Sequence, residues 1–342
     1  MKKIGIIFLI GIMVLGMVAC NKKSGTDSEN TSVSISEPIQ PLVYYAPLTG
    51  EEVEHEITQR AVAVMINNQK KARPQSGISQ ADMVYELLSE ADITRWLAIF
   101  QSELPEKIGP IRSARDYYIK IAAGYNAFYI CHGQSPAAED LMQSGAIDAL
   151  NGINYDGKYF HRDQTRVAPH NSYTSASDIS DAAEALDIRM IDQVRANIYE
   201  ENGFSGDTEA KDATYVKLKY SSNDDYNVVY TYDETKKGYI RSQGGVQTTD
   251  RENDEMITVQ NVFIVKTEHN IIDNYGRRSI DLQSGGQGYL LQNGKMLEVT
   301  WMNDSGRLVP TKNGEVIPYI PGKTWINVVE DKESAVNFTT PN

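Results

Sequence analysis

The chain is 342 residues long, with 33 Lys and Arg against 46 Asp and Glu and a formal net charge of −13. That acidity, with no run of basic residues, argues against sequence-independent nucleic-acid binding, which depends on neutralising phosphates with Lys and Arg. Two cysteines, Cys20 and Cys131, rule out a disulfide-rich scaffold and a thiolate metal cluster.

Lys2 and Lys3 precede an uncharged apolar stretch from Ile4 to Val18, followed by Ala19 and Cys20. A basic flank, a short apolar segment and a small residue before the break have the order of a secretory signal. The stretch falls short of the roughly 20 residues that a membrane-crossing helix needs. A small residue followed by Cys resembles the lipobox of bacterial lipoproteins, in which the thiol is lipidated and becomes the new N-terminus; Met17 stands where Leu is usual. An uncleaved anchor helix is the alternative, and either one leaves the remainder on the extracytoplasmic face of the cell membrane. Two acyl chains on Cys20 would hold it there, at about 0.8 kcal/mol per buried CH₂. Residues 21–41 are rich in Ser, Thr, Asn and Glu, too polar to offset their ordering entropy, and are expected to form a mobile tether.

The remaining residues suit two domains. Ala61 to Ile66 is a continuous apolar run, as in a strand buried on both faces. Met83 to Leu88 and Trp96 to Phe100 read as two strands of a hairpin around the polar stretch Glu90 to Thr94. Ser113 to Ala123 has helical spacing with Ser113 as its N-cap. Phe128 to Cys131 reads as a strand, and Pro136 to Met142 as a short helix capped by Ser135 with proline in its first turn. Cys131 lies in an apolar run and reads as a small buried hydrophobe. Helical patterns return at 176–186 and 191–201. After about 205 the texture becomes short strands (215–220, 228–232, 238–241, 257–266, 279–282, 288–292, 296–301 and 324–329) separated by turns such as Asn293-Gly294 and Asn313-Gly314. The expected class is α+β: a signal at 1–20, a tether at 21–41, a mixed α/β layered domain at 42–204 and a mostly antiparallel β domain at 205–342.

Three stretches concentrate chemistry. Gly109 to Arg115 places Arg112, Ser113 and Arg115 at a loop-to-helix junction, where a helix N-terminus and a guanidinium fork favour phosphate or carboxylate. The arginines could equally be occupied by local acids such as Asp116 or Glu86. His132 to Pro136 follows an apolar strand, where α/β sheets collect functional side chains; His132 could be an acid/base, a ligand or an organiser of the loop. Tyr159 to Tyr173 holds His161, Arg162, Asp163, Arg166, His170 and Asn171 with no helical or strand period, and is either functional or a hydrogen-bonded brace. A zinc triad of His132, His161 and His170 matches none of the short metal motifs, and no phosphate loop, serine elbow or calcium loop is present. No cofactor is expected.

The order Arg73-Pro-Gln-Ser-Gly77, Ala81 to Glu86, Ile93-Thr-Arg95, Gly109 to Arg115, His132 to Pro136 and Pro169 to Thr174 resembles the YerB-like lipoproteins. Asp273 to Arg278, Gly288 to Trp301 and Pro321 to Trp325 are similar to that family's C-terminal domain. The resemblance spans about 45 to 330 and implies a two-domain envelope protein rather than an activity. Ala91-Asp92 stands where members carry a Gly pair, which bears on the turn, since Ala is a poor left-handed residue. The Ala81-Asp82 strand, the Ser113-Ala-Arg-Asp116 segment and Tyr125 to Tyr129 before a Gly and a short helix loosely resemble LytR-CpsA-Psr phosphotransferases. That resemblance implies that Asp82, Arg112, Arg115, Asp116 and Arg162 face one anionic pocket, where clamping a phosphoryl group is chemically sensible.

These readings lead to an envelope lipoprotein that binds an anionic wall-related ligand or a partner protein. Its site would comprise Arg112, Ser113, Arg115, His132, Ser135, Arg162, His170 and Asn171, with Glu86 and Arg95 as neighbours or braces. A membrane-proximal phosphotransferase or hydrolase, and a purely structural interaction protein, are the alternatives. An enzyme needs Asp82 or Asp116 free for a metal. A structural protein needs the 159–174 loop buried and satisfied by its own domain.

Overall fold

Residues 42–340 are described by the structure, a computed structural model, so the expected signal, Cys20 and the tether lie outside the described residues. The apolar runs form the centre. β1 (Val62–Asn67), β2 (Met83–Leu88) and β3 (Thr94–Phe100) are buried at every position, as strands covered on both faces should be. β2 and β3 make the expected hairpin, with Met83 opposite Ile99 and Leu88 opposite Thr94, and β3 pairs antiparallel with β1. Beyond β1, β4 (Phe128–Cys131) and β5 (Ala149–Asn151) add in parallel.

The helices of eight or more residues among the described residues are α1 (Asp116–Gly124), α2 (Pro136–Gln143) and α3 (Ala176–Ala185). α2 starts as expected, with the Ser135 hydroxyl accepting the Ala138 N–H at 3.3 Å. α1 does not: Ser113 is not its cap, and Arg115 holds that position in an extended conformation without a side-chain bond to the helix. The reason is strand-like pairing upstream, where the Arg112 N–H donates to Met65 O and the Ala114 N–H to Gly133 O. The expected helix at 191–201 does not form either. That segment runs extended, bridging Gln59 through Ile191 and Tyr319 through Tyr199, so tertiary pairing overrides a helical spacing that is only a weak prior.

In the second half, β6 (Tyr215–Leu218), β7 (Val228–Asp233) and β8 (Gly238–Gln243) form an antiparallel meander with β9 (Val246–Gln247) at its edge. The expected 257–266 strand is divided: Thr258–Val259 pairs with β8, and β10 (Asn261–Thr267) joins the large sheet. β11 (Gly286–Gln292), β12 (Lys295–Asp304) and β13 (Arg307–Lys312, unmarked in the sequence reading) follow antiparallel. Between β11 and β12, Asn293 and Gly294 have φ of 51° and 73°, the left-handed pair that a two-residue hairpin turn demands.

The last long strand, β14 (Thr324–Glu330), runs parallel to both β10 and β2, placing Thr324 opposite Asn261 on one side and Met83 on the other. One 12-stranded sheet therefore contains the path β13-β12-β11-β10-β14-β2-β3-β1-β4-β5. The change of texture near 205 is not a break in this sheet, and Val43–Asn342 forms one compact unit. Strand alternation divides the core between two faces. Ala63, Met65, Leu97 and Ile99 pack with Tyr117, Tyr118 and Ile121 of α1. Val64, Ile66, Trp96 and Ala98 pack with Ile179 and Ala182 of α3 and with Val216, Val228 and Tyr239 of the meander. Among the described residues no helix is long and apolar enough to cross a membrane.

Ala91, in the turn between β2 and β3, does adopt a left-handed φ of 49°, at a cost of about 1–2 kcal/mol. The second half holds it there. The Ala91 N–H donates to Gly276 O at 3.2 Å, and its carbonyl accepts from Arg278 Nη2 at 2.8 Å.

Candidate functional site

Residues 111–115 thread across the carboxyl ends of the parallel strands β1 and β4, a position where α/β sheets place ligands. Backbone bonds fix the thread: Ile111 N–H to Ser172 O, Arg112 N–H to Met65 O, and His132 N–H to Arg112 O. Three arginines converge there around one acid, Glu90. Arg95 Nη2 and Arg115 Nη2 each bind one Glu90 oxygen, the latter at 2.8 Å. Burial pushes the Glu90 carboxyl upward, but Arg95 and Arg115 together hold it below the usual carboxylate range.

Arg112 is left over. Among the described residues its guanidinium has no hydrogen-bond or ion-pair partner, although it is partly buried. Burial opposes its charge, Glu90 supports it and Arg115 opposes it. A partly dehydrated cation without a partner costs free energy, and an arriving anion would recover that cost.

Two histidines flank Arg112. His132 contacts Ser172 Oγ through Nδ1 at 2.8 Å and Arg162 Nη2 through Nε2 at 3.3 Å, with its ring edge-on to Phe160. A guanidinium only donates, so Nε2 accepts and the ring proton sits on Nδ1. His170 is buried, with Nδ1 2.9 Å from Asn67 Nδ2. Asn67 Oδ1 is taken by the Gln69 N–H, so the amide nitrogen donates and His170 carries its proton on Nε2. Both histidines are pushed below the ordinary imidazole range. For His132 the cause is burial, then Arg162; for His170 it is burial, then Arg112, Lys71 and Arg166. Both rings are therefore neutral near pH 7 and lie within reach of the Arg112 charge.

The family of the chain follows from comparison with known proteins. Residues 48–189 match the family model described as "Protein of unknown function (DUF3048) N-terminal domain", and residues 216–326 match the corresponding C-terminal domain. The chain belongs to the DUF3048 family. It is 45% identical over 293 residues to the Bacillus subtilis (strain 168) protein named "Putative lipoprotein YerB", covering 85% of this chain and 87% of that protein. It is also similar to the crystal structure of YerB from Bacillus subtilis, with a TM-score of 0.80 and 43% identity, covering 86% of this chain and 99% of that one.

Within this DUF3048 chain the other expected site residues take varied places. Arg162 sits at the rim, where Asp156 accepts from its Nη2 and Nε at 2.6 and 3.2 Å and Asn171 Oδ1 accepts from its Nη1 at 3.3 Å. Ser113 donates to His132 O, and Ser135 is committed to capping α2. His161 points away, to Asp178 at 2.8 Å. The three histidines therefore have separate partners, and no group of three or more His, Cys, Asp or Glu side chains capable of holding a metal ion occurs among the described residues.

Glu86 is a brace and not a neighbour of Arg112: it faces away from Arg112, and with Arg241 it forms a fully buried pair at 2.7 Å. Its carboxylate also accepts from Asn68 Nδ2, Thr94 Oγ1 and Trp325 Nε1, while the edge-to-face pair Trp96 and Trp325 lies 4.9 and 4.7 Å from the Arg241 guanidinium. Parity explains this: Glu86 lies opposite Trp96, whereas Arg95 lies opposite Leu87 on the other face of the hairpin. The expected grouping of Asp82 and Asp116 with Arg112 also fails. Asp82 lies at the far end of β2, where its Oδ2 accepts the N–H groups of Gln101 and Ser102, and Asp116 pairs with Lys120 at 2.8 Å.

Cys131 is fully buried, with its thiol pushed up to about 12 by burial. The residues that sequence reasoning missed are Glu90, Asn67, Lys71 and Ser172. Glu90 was legible in principle, because a hairpin turn brings its flanking residues next to the strand ends. Lys71 belongs to a short 3₁₀ turn whose approach to His170 is set by tertiary packing alone.

Proposed function

We propose that this chain is a lipoprotein of the bacterial cell envelope, anchored through acylated Cys20 on the extracytoplasmic face. In this reading the cluster around Arg112 binds an anionic group, a phosphate or carboxylate of a wall component or partner protein. The anchoring half rests on the basic flank, apolar stretch and Ala19-Cys20 order, and on the similarity to the Bacillus subtilis protein named a putative lipoprotein. The binding half rests on one observation: Arg112 is the member of a three-arginine cluster that makes no hydrogen bond or ion pair with Glu90. A bidentate guanidinium suits a planar carboxylate or a phosphate. Neutral His132 and His170 beside it offer further contacts, and can take up protons when negative charge arrives.

The binding test is thermal unfolding of the 43–342 fragment against sulfate, pyrophosphate, muropeptides and wall polymers, with Arg112→Ala in parallel. A ligand at about 100 times its Kd should add roughly 2.7 kcal/mol to the wild type and nothing to the variant. Absence of any stabilisation in the wild type would sink this reading. For the anchor, Cys20→Ala should lose incorporated fatty acid and leave the membrane fraction; retention of both would overturn it.

A further inference from the structure

The acid of the cationic cluster sits on a turn that the second half of the chain holds. Glu90, Ala91 and Asp92 lie between β2 and β3, and each is bound from outside. Glu90 forms an isolated antiparallel bridge with Arg277. The Ala91 N–H donates to Gly276 O at 3.2 Å, and the Asp92 carboxylate accepts from the Ser221 hydroxyl at 2.7 Å. Gly276 and Arg277 belong to the tip of a hairpin whose strands are His269–Ile271 and Arg278–Ile280.

The charged contact in this set comes from Arg278. It is buried; its Nε and Nη2 both donate to Ala91 O, at 3.2 and 2.8 Å, and its Nη1 reaches Glu330 at 3.3 Å. A charged donor makes a stronger hydrogen bond than a neutral one. It falls on the residue of the turn with a left-handed φ, 49°, a conformation that an alanine keeps only when its surroundings enforce it.

What the turn carries decides how many guanidinium groups are free. Glu90 accepts one nitrogen each from Arg95 and Arg115, whose Nη1 atoms donate to Ser113 O and Ala114 O. The Glu90 side chain is 26% exposed against 3% and 10% for the two arginines, so the carboxylate is the solvent-facing member and covers them. Arg112 is partly exposed and has no partner among the described residues. Glu90 therefore occupies the place that a second anionic group of a ligand would need.

We propose that Arg278 is a positioning residue of the anion site: by holding the Ala91 turn it keeps Glu90 on Arg95 and Arg115, so the site takes one anionic group, at Arg112, and disfavours a second. This rests on the reading of Arg112 as an anion site and names its selectivity, a lone sulfate-like or carboxylate group over a linked pair.

The experiment is calorimetric titration of the 43–342 fragment with sulfate and with pyrophosphate at one ionic strength, so that screening is equal. The quantity read is the ratio of the two affinities, which a general loss of stability does not move. Arg278→Met keeps the buried stem without its donors. Its ratio should shift toward pyrophosphate by at least about tenfold, the contribution of one further charge-assisted hydrogen bond. Arg278→Lys, which retains a charged donor, should lie between that variant and the wild type. Glu90→Gln should reproduce the shift without touching Arg278. Glycine adopts a left-handed φ without strain, so Ala91→Gly combined with Arg278→Met should restore the wild-type ratio. The proposal is overturned by an unchanged ratio in Arg278→Met or in Glu90→Gln, or by a combined variant that stays at the Arg278→Met value. Sulfate binding with an unmoved ratio sinks only the role of Arg278. A wild type that binds neither anion sinks the Arg112 site, and this proposal with it.

Discussion

Arg241 and Arg112 present the same guanidinium in opposite surroundings. Arg241 is fully buried, yet it has a carboxylate at 2.7 Å, the Thr248 hydroxyl at 2.7 Å and two mutually packed indoles within 5 Å. Burial opposes its charge, but Glu86 and the neighbouring tyrosines hold its pKa above the usual arginine value. Arg112 is less buried, has no partner among the described residues, and is held below the usual value. The first arrangement joins parts of the chain: Glu86 comes from β2, Arg241 from β8 and Trp325 from β14. The second joins nothing. A charge already answered by its own fold stabilises a particular packing, whereas a charge left unanswered at the carboxyl ends of parallel strands is available to something outside.

The strongest way to break this contrast is to remove the partner of the buried cation. Glu86→Ala should destabilise the 43–342 fragment by about 3–5 kcal/mol in urea unfolding, because Arg241 is then left charged in a dry site. Replacing both members, as in Glu86→Leu with Arg241→Met, should recover most of that loss, since buried pairs are often nearly neutral relative to apolar residues of like volume. If the single and double variants are equally damaged, the pair is not acting as a unit.

Arg112→Ala should behave in the reverse manner. Its unfolding free energy should stay within about 0.5 kcal/mol of the wild type, or rise, because a partly buried charge disappears and that cost exceeds the attraction to Glu90. The roughly 2.7 kcal/mol that a saturating anion adds should vanish. A large intrinsic destabilisation would show instead that Arg112 has a structural role like that of Arg241.

Much of this contrast was hidden in the sequence for a definite reason. The strands of the first half were legible because uninterrupted apolar runs such as Ala61 to Ile66 have few alternatives, and α2 was legible because Ser135-Pro136 is a strong start signal. The placing of β14 between β10 and β2 was not, because parallel pairing between segments some 240 residues apart leaves no local trace. The same applies to the Glu86–Arg241 pair. Glu86 and Arg95 look like natural partners along the chain, and only the register of the hairpin puts them on opposite faces. Arg112, His132, Arg162 and His170 were legible as a polar concentration, but which arginine Glu90 neutralises depends on the turn at Ala91. That turn is held by Arg278, from the far half of the chain.

A smaller effect separates a structural residue from a binding one within the same loop. Ser135→Ala should cost about 1 kcal/mol through loss of the α2 cap, measured by urea unfolding, and leave the stabilisation by anions unchanged. Loss of the anion response would return Ser135 to the binding site.

The smallest effect lies in the histidines. In the free protein His132 and His170 titrate below the ordinary imidazole value, so they are neutral at pH 7. A depressed histidine pKa means that the unfolded chain binds more protons, so stability is present above the unfolded value and lost as pH falls through the folded one. An anion at Arg112 reverses the local sign: it raises both pKa values, and binding then takes up protons. Affinity should therefore strengthen as pH falls from 8 to 6, by about threefold, or roughly 0.7 kcal/mol. Sulfate is the suitable probe, because its own charge does not change across that range. Histidine proton resonances followed by NMR should show both pKa values rising with sulfate. They should also rise in sulfate-free Arg112→Ala, where the repelling charge is gone. If sulfate stabilises the protein but moves neither histidine, the anion sits elsewhere, and the cluster around Arg112 is not its site.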